Sequence, residues 1–276
     1  MARAWAWWDP RGWCGRGAVQ EDGLARRRRW RPEAPVDPCR LPGAANIPGM
    51  LLAFESVART ASACVIDAAG REVAFADLGG GEAERGLVSL LDGLIRAHGR
   101  PTALAVASGP GSFTGLRIGV VAARTLAWME QAPVHAVDSL AARAMQAGDG
   151  LWWVLAPLKR DTTFHGLFRI AGGVLETLHA TVASADAEAV ALHPLTAQAV
   201  AIGPALAGKP DLAPRWCPGV VLGESSPLTA RGVARLAAQV PAGTWDQVLP
   251  AYHQASAPEL QRARAGMPAI IPRSSP

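Results

Sequence analysis

The stretch from Ala103 to Glu130, ALAVASGPGSFTGLRIGVVAARTLAWME, most narrows what this chain can become. Leu104, Ala105, Val106 and Ala107 form an uncharged apolar run, as a strand covered on both faces requires. Gly109, Pro110 and Gly111 interrupt it, because proline has no N–H for a ladder and glycine tolerates backbone angles other residues avoid. Ser112 and Thr114 are both candidate helix caps, and from Gly115 a helical period runs to about Gln131. A glycine loop entering a helix aims N–H groups and a partial positive charge at whatever precedes it. The loop therefore reads in two ways. It is either an anion cradle contacted by Gly109, Gly111, Ser112 and Thr114, or a corner that launches the helix.

The helix that follows has an unusual apolar distribution. One face carries Ile118, Val121, Ala122, Thr125, Leu126 and Met129, and a second carries Leu116, Gly119, Val120, Ala123 and Ala127. Only Arg117, Arg124 and Gln131 make a polar stripe, with Trp128 at its border. A surface helix normally shows one apolar face. The surplus means either a helix buried within its own domain or one that packs a sheet on one side and a partner's helix on the other.

The elements around this stretch alternate. Met50–Glu55, Ser62–Asp67 and Glu72–Asp77 read as strands close enough to form an antiparallel meander. Glu82–His98 reads as a helix with Leu87, Leu90, Leu91, Leu94 and Ile95 on one face. Val134–Val137 is a strand, after which Asp138 or Ser139 caps a helix to about Gln146. Further on, Leu151–Leu155, Thr162–Ile170, Val174–Leu178 and Ala199–Ile202 read as strands, and Ala183–Leu192 and Leu228–Val240 as helices. Residues 203–227 read as loop. The order is that of an α/β fold. It divides into a first subdomain over 50–150, a second over 151–249 and a tail over 250–276.

Residues 1–49 differ from the remainder, with five of the ten tryptophans, six prolines and no structural period. They are expected to be a disordered extension or an upstream reading of a gene whose start is Met50. Nine arginines and five acids lie there. Of the chain's 27 basic and 23 acidic residues, 18 of each therefore remain over 50–276. The body is neutral, a poor footing for direct RNA binding, which phosphate contacts dominate. A direct tRNA binder would have to rest on Arg26–Arg31. No apolar run approaches the roughly 18 residues of a membrane span. Cys14, Cys39, Cys64 and Cys217 form no CxxC pair, so a soluble, cytoplasmic chain without zinc site or disulfide framework is expected.

Enzyme signatures are sparse. The histidines at 98, 135, 165, 179, 193 and 253 form neither HxxxH nor HExxH, so no metal is expected. Gly111-Ser112-Phe113-Thr114-Gly115 misses the GxSxG spacing, and the glycine loop lacks both the P-loop lysine and the final glycine of a dinucleotide fingerprint. Glu55 ends the first strand, where α/β folds place ligand-handling carboxylates. With Ser56 it reads as an orienter of a magnesium-bound water or as a solvated turn residue.

The string Ser108 to Gly119, SGPGSFTGLRIG, resembles the bacterial TsaB family, the non-catalytic partners of TsaD in forming N6-threonylcarbamoyladenosine at position 37 of tRNA. The opening MLLAFES, Pro133–Leu140 and a worn PxY at Pro250-Ala251-Tyr252 agree with it in order. Where the family has Asp-Thr, His-Ser and a D-A-R-x-G-E-V-Y-like stretch, this chain has Glu55-Ser56, Glu82-Ala83 and the divergent Pro157–Phe164. The resemblance implies an actin/hexokinase/Hsp70-like (ASKHA) fold of two α/β subdomains, each with a mixed sheet flanked by helices. It implies a scaffold without cofactor or catalytic residue, with only a vestigial nucleotide contact at Glu55, Ser56, Gly109, Gly111, Ser112 and Thr114. Its expected partners are a TsaD-like catalytic subunit and a TsaE-like ATPase, with self-pairing when alone and only indirect tRNA contact. The expected interface is Leu87, Leu90, Leu91, Leu94, Leu116, Val120, Val121 and Leu126. The competing expectation is an ATP-dependent transferase or M22-type peptidase of the same superfold.

Overall fold

The computed structural model describes residues 47–251, except 59, 80–82 and 225. The expectations for the arginine-rich extension, for Glu82 and Tyr252, and for the tail beyond them fall outside the described residues.

Strands β1 (Leu51–Glu55), β2 (Ala61–Ile66) and β3 (Glu72–Leu78) pair antiparallel, as the short spacing between apolar runs requires. Helix α1 (Ala83–His98), strand β4 (Ala103–Gly109), helix α2 (Phe113–Glu130) and strand β5 (Val134–Asp138) follow. Strand β4 runs parallel to β1 and β5, giving a five-stranded mixed sheet of order β3-β2-β1-β4-β5. All of β1, β2 and β4 is buried, as a sheet covered on both faces demands.

Helix α3 (Ser139–Ala147) is capped by Asp138, whose carboxylate accepts from Leu140 N and Ala141 N at 2.8 Å each. A second sheet, order β10-β9-β6-β7-β8, holds β6 (Gly150–Lys159), β7 (Thr162–Ala171), β8 (Val174–Ala185), β9 (Val200–Ile202) and β10 (Val221–Leu222). Helix α6 (Ala230–Ala237) comes last among the described elements yet packs on β1, β2, β4 and β5. Arg231 fixes it there, bidentate on Glu72 at 2.7 and 2.8 Å and stacked 3.9 Å over Phe75. One apolar core therefore runs from the first sheet through α3 and α6 to Val154, Phe164 and Phe168 of the second sheet.

Two expectations are corrected. Ala183–Leu192 is not a helix: β8 continues to Ala185, pairing Thr162 with Ala185 and Thr163 with Ser184. The His165 ring bonds Ser184 Oγ at 3.0 Å, and Asp186 takes the Thr163 hydroxyl at 2.8 Å and Lys209 Nζ at 2.5 Å. These tertiary bonds outweigh the helix preference of an alanine-rich stretch. Residues 203–227 are not all loop. Helices α4 (Ala205–Gly208) and α5 (Leu212–Trp216) place Ala205, Leu212 and Ala213 against Trp153 and Leu155, each too short to show a period.

Candidate functional site

The glycine loop is a close-packed corner. Gly109 sits at φ +125°, followed by a cis Gly109–Pro110 bond, and Ser112 caps α2 by accepting from Gly115 N at 3.3 Å. Of the two candidate caps, Thr114 is helical and exposed. The end of β1 fills the space the glycines leave. A Cβ on Gly111 would fall 2.5 Å from Val57 Cβ, one on Gly115 1.8 Å from the Ser56 carbonyl oxygen, and one on Gly119 2.5 Å from Ser56 Oγ. Ser56 Oγ donates to Gly115 O at 2.8 Å, and Ser112 N donates to Val57 O at 3.0 Å. The Ser112 N–H of the expected anion cradle is thus spent inside the chain, as is the N–H of the neighbouring Gly115. Gly109 lies against Ala251, whose N donates to Ser108 O at 2.8 Å.

Glu55 is not a solvated turn residue; it is fully buried. Its Oε2 accepts from Val57 N and Ala58 N at 3.2 and 3.3 Å, and its Oε1 from Ser62 Oγ at 3.1 Å. Ser62 Oγ in turn accepts from Ala230 N at 2.9 Å, so the carboxyl ties the end of β1 to the start of α6. The buried Arg143, which donates to the Ser226 carbonyl, acts on it as a compensating charge. Burial nevertheless dominates and raises the Glu55 carboxyl from 4.5 to about 7, against the lowering effect of its hydrogen bonds and Arg143. With a raised native value, its stabilising contribution is complete below pH 4.5 and lost as the pH rises through 7, on the order of 3 kcal/mol. Glu55→Gln keeps an acceptor for Val57 and Ala58 and cannot ionise. It is expected to melt at a higher temperature than the unsubstituted chain at pH 8 and to lose that advantage at pH 5. Parallel melting curves at the two pH values read the difference.

Helix α2 uses its two apolar faces differently. Gly115, Leu116, Gly119, Val120, Ala123 and Ala127 are buried against the sheet. On the opposite side Val121 is 61% exposed, Trp128 58% and Met129 55%, with Ile118, Ala122 and Leu126 half-buried. Six of the eight residues expected at an interface lie on the wrong side of their helices. Leu87, Leu90, Leu91, Leu94, Leu116 and Val120 are buried in the chain's own core. Each helix has to cover its own sheet first, and the leucine-rich stripe of α1 does that. Only Val121 and, in part, Leu126 remain available, joined by Trp128 and Met129 on α2; on α1, Val88 is exposed. Trp245, 42% exposed, also borders this face, and no local pattern places it there. Among the described residues no His, Cys, Asp and Glu cluster is placed to hold a metal ion, and no helix is long and apolar enough to cross a membrane.

The family model described as TsaD, tRNA N6-adenosine threonylcarbamoyltransferase, matches residues 98–157, which contain β4, the glycine corner and α2. The tRNA threonylcarbamoyladenosine biosynthesis protein TsaB of Bacillus subtilis (strain 168) is 40% identical over 90 residues. The chain is similar to TsaB over that stretch. That match takes in 32% of this chain and spans 39% of the curated relative's length. Two solved structures share the fold. YeaZ from Pseudomonas aeruginosa superposes with a TM-score of 0.63 at 23% identity, over 74% of this chain and 99% of that one. A protein described as similar to peptidase YEAZ from Pseudomonas aeruginosa gives 0.64 at 24%, over 75% and 100%. The two mixed sheets with their helices are accordingly an ASKHA-like fold, as the sequence resemblance implied.

Proposed function

We propose that the chain is a cytoplasmic, non-catalytic subunit of the assembly that forms N6-threonylcarbamoyladenosine on tRNA. It acts by docking the outer face of α2 on a homologous, TsaD-like catalytic subunit and holding that subunit active. The observation that carries this reading is the exposed apolar side of α2, with Val121, Trp128 and Met129 uncovered. That helix begins in the string that resembles TsaB and lies inside the segment matching the TsaD family. Exposed patches of this kind mark association surfaces. Packing of the glycine corner by Ser56 and Val57 supports a scaffold over a nucleotide-using enzyme. The neutral body supports indirect rather than direct contact with tRNA, and a TsaE-like ATPase completes the proposed assembly.

Depletion of the chain in its own cells is expected to lower threonylcarbamoyladenosine in total tRNA, read by nucleoside mass spectrometry. Re-expression of the unsubstituted chain should restore it, and should recover the TsaD-like subunit by co-purification. Unchanged nucleoside levels after depletion would remove the assignment. Tight binding of Mg-ATP to the isolated chain by calorimetry would favour the ATP-dependent transferase instead.

A further inference from the structure

Trp245 gives the outer face of α2 an end wall. The chain beyond α6 returns to the edge of the first sheet, where Val134 and Gly243 exchange both backbone bonds at 2.8 and 2.9 Å. Gln247 Oε1 then accepts from Thr244 N at 3.0 Å, and Asp246 accepts from the Thr244 hydroxyl at 2.6 Å, so the turn is braced by its own bonds. It sets Trp245 beside α2, with the Arg124 guanidinium 5.8 Å from the ring centroid. Val121, Arg124, Thr125, Trp128 and Trp245 line a groove of about 420 Å³.

We infer that this groove receives an apolar side chain, flanked by a carboxylate, from a helix of the partner subunit, with Arg124 taking the carboxylate. The inference rests on the docking role proposed above for α2 and names the chemistry of its partner. Two exposed tryptophans and an arginine around one recess are the residue types that carry most of the energy of protein interfaces. An apolar anchor set into such a recess is how helices are recognised in grooves. The charge on the face selects the flank. Helix α2 has no acid before Glu130, and Glu130 is bonded to Arg100 at 2.5 Å. Asp246, on the turn that carries Trp245, is bonded to the Thr244 hydroxyl, and Arg124 is the smallest of the influences on its carboxyl.

The same charges argue for a different subunit as occupant over a second copy of this chain. In an antiparallel pairing of two α2 helices centred on Val120 and Val121, Arg117 of one faces Arg124 of the other. In a parallel pairing each arginine faces its own equivalent. Like charges brought together across an interface suppress that pairing, whereas an acidic flank is favoured.

The test titrates the purified full-length chain against the purified TsaD-like subunit of the same organism by calorimetry. Trp245→Ala is expected to weaken binding by about tenfold and Arg124→Glu by more, with Arg124→Lys recovering part of the loss. Melting temperatures close to that of the unsubstituted chain would show that both variants fold. If Val121→Asp abolishes binding while Trp245→Ala and Arg124→Glu leave it within about twofold, the groove assignment falls and the docking role stands. If the unsubstituted chain does not bind, both fall. Sedimentation showing a homodimer that Val121→Asp dissolves and Arg124→Glu leaves intact would place a second copy on this face and overturn the choice of occupant.

Discussion

Leu91→Asp is expected to unfold the chain, whereas Val121→Asp leaves it folded and unable to hold its partner. Both side chains are apolar and both lie on the helices that flank the glycine corner. Their surroundings are opposite. Leu91 is 2% exposed, in the layer where α1 packs on β2 and β3. Aspartate there loses about 2–5 kcal/mol of packing and strands a charge whose burial costs several kcal/mol more. The sum matches the whole stability of an ordinary domain, about 5–15 kcal/mol. Val121 is mostly in water already, and surface replacements away from special features stay within about 0.5 kcal/mol. A carboxylate at its position sits on the apolar outer face beside Arg124, where docking would desolvate it and set it in competition with the partner for that arginine. Circular dichroism melts of the two variants, with co-purification of the TsaD-like subunit, read both effects. A cooperative, unshifted melt for Leu91→Asp would contradict the burial of the α1 stripe, and full retention of the partner by Val121→Asp would contradict docking through α2.

The second large effect is expected at the glycine corner. Gly115→Ala places a Cβ 1.8 Å from the Ser56 carbonyl oxygen, and the obstacle is backbone in a buried strand end that cannot rotate away. Overpacking of this kind costs about 1–3 kcal/mol in ordinary cores and more where main chain must move. A loss of about 4 kcal/mol corresponds to a fall in melting temperature on the order of 10 °C for a chain of this size. Gly119→Ala is expected to fall between the extremes, because its obstacle is Ser56 Oγ, which turns aside at the expense of its bond to Gly115 O. Gly93→Ala in α1 meets nothing within 4 Å and is expected to stabilise by up to about 1 kcal/mol through helix propensity. The order Gly115, Gly119, Gly93 is the checkable content. An equal response at all three positions would mean that α2 does not rest on the Ser56 turn.

The helical period of α1 and α2 was legible, as were the strands of the first sheet, because each element is long enough for its pattern to repeat. The short helices α4 and α5 carry no period and went unread. The Ala183–Leu192 stretch reads as a helix because its strand exists only through pairing with β7, the Ser184 bond to His165 and the Asp186 pair with Lys209. Glu55 is similar: two readings were open locally, and neither contained a fully buried carboxyl bonded to Ser62 beneath α6.

By itself, then, the sequence determined that β4 turns through a glycine corner into a helix with two apolar faces, in a string that resembles TsaB. A repeated local pattern is sufficient for that, since it states how much apolar surface an element carries. Only the tertiary structure decided which face the sheet covers and which is left over. Burial is a property of what arrives from elsewhere: Ser56 and Val57 fill the corner, the sheet takes Leu116 and Val120, and Trp245 comes from far along the chain to wall the side that remains.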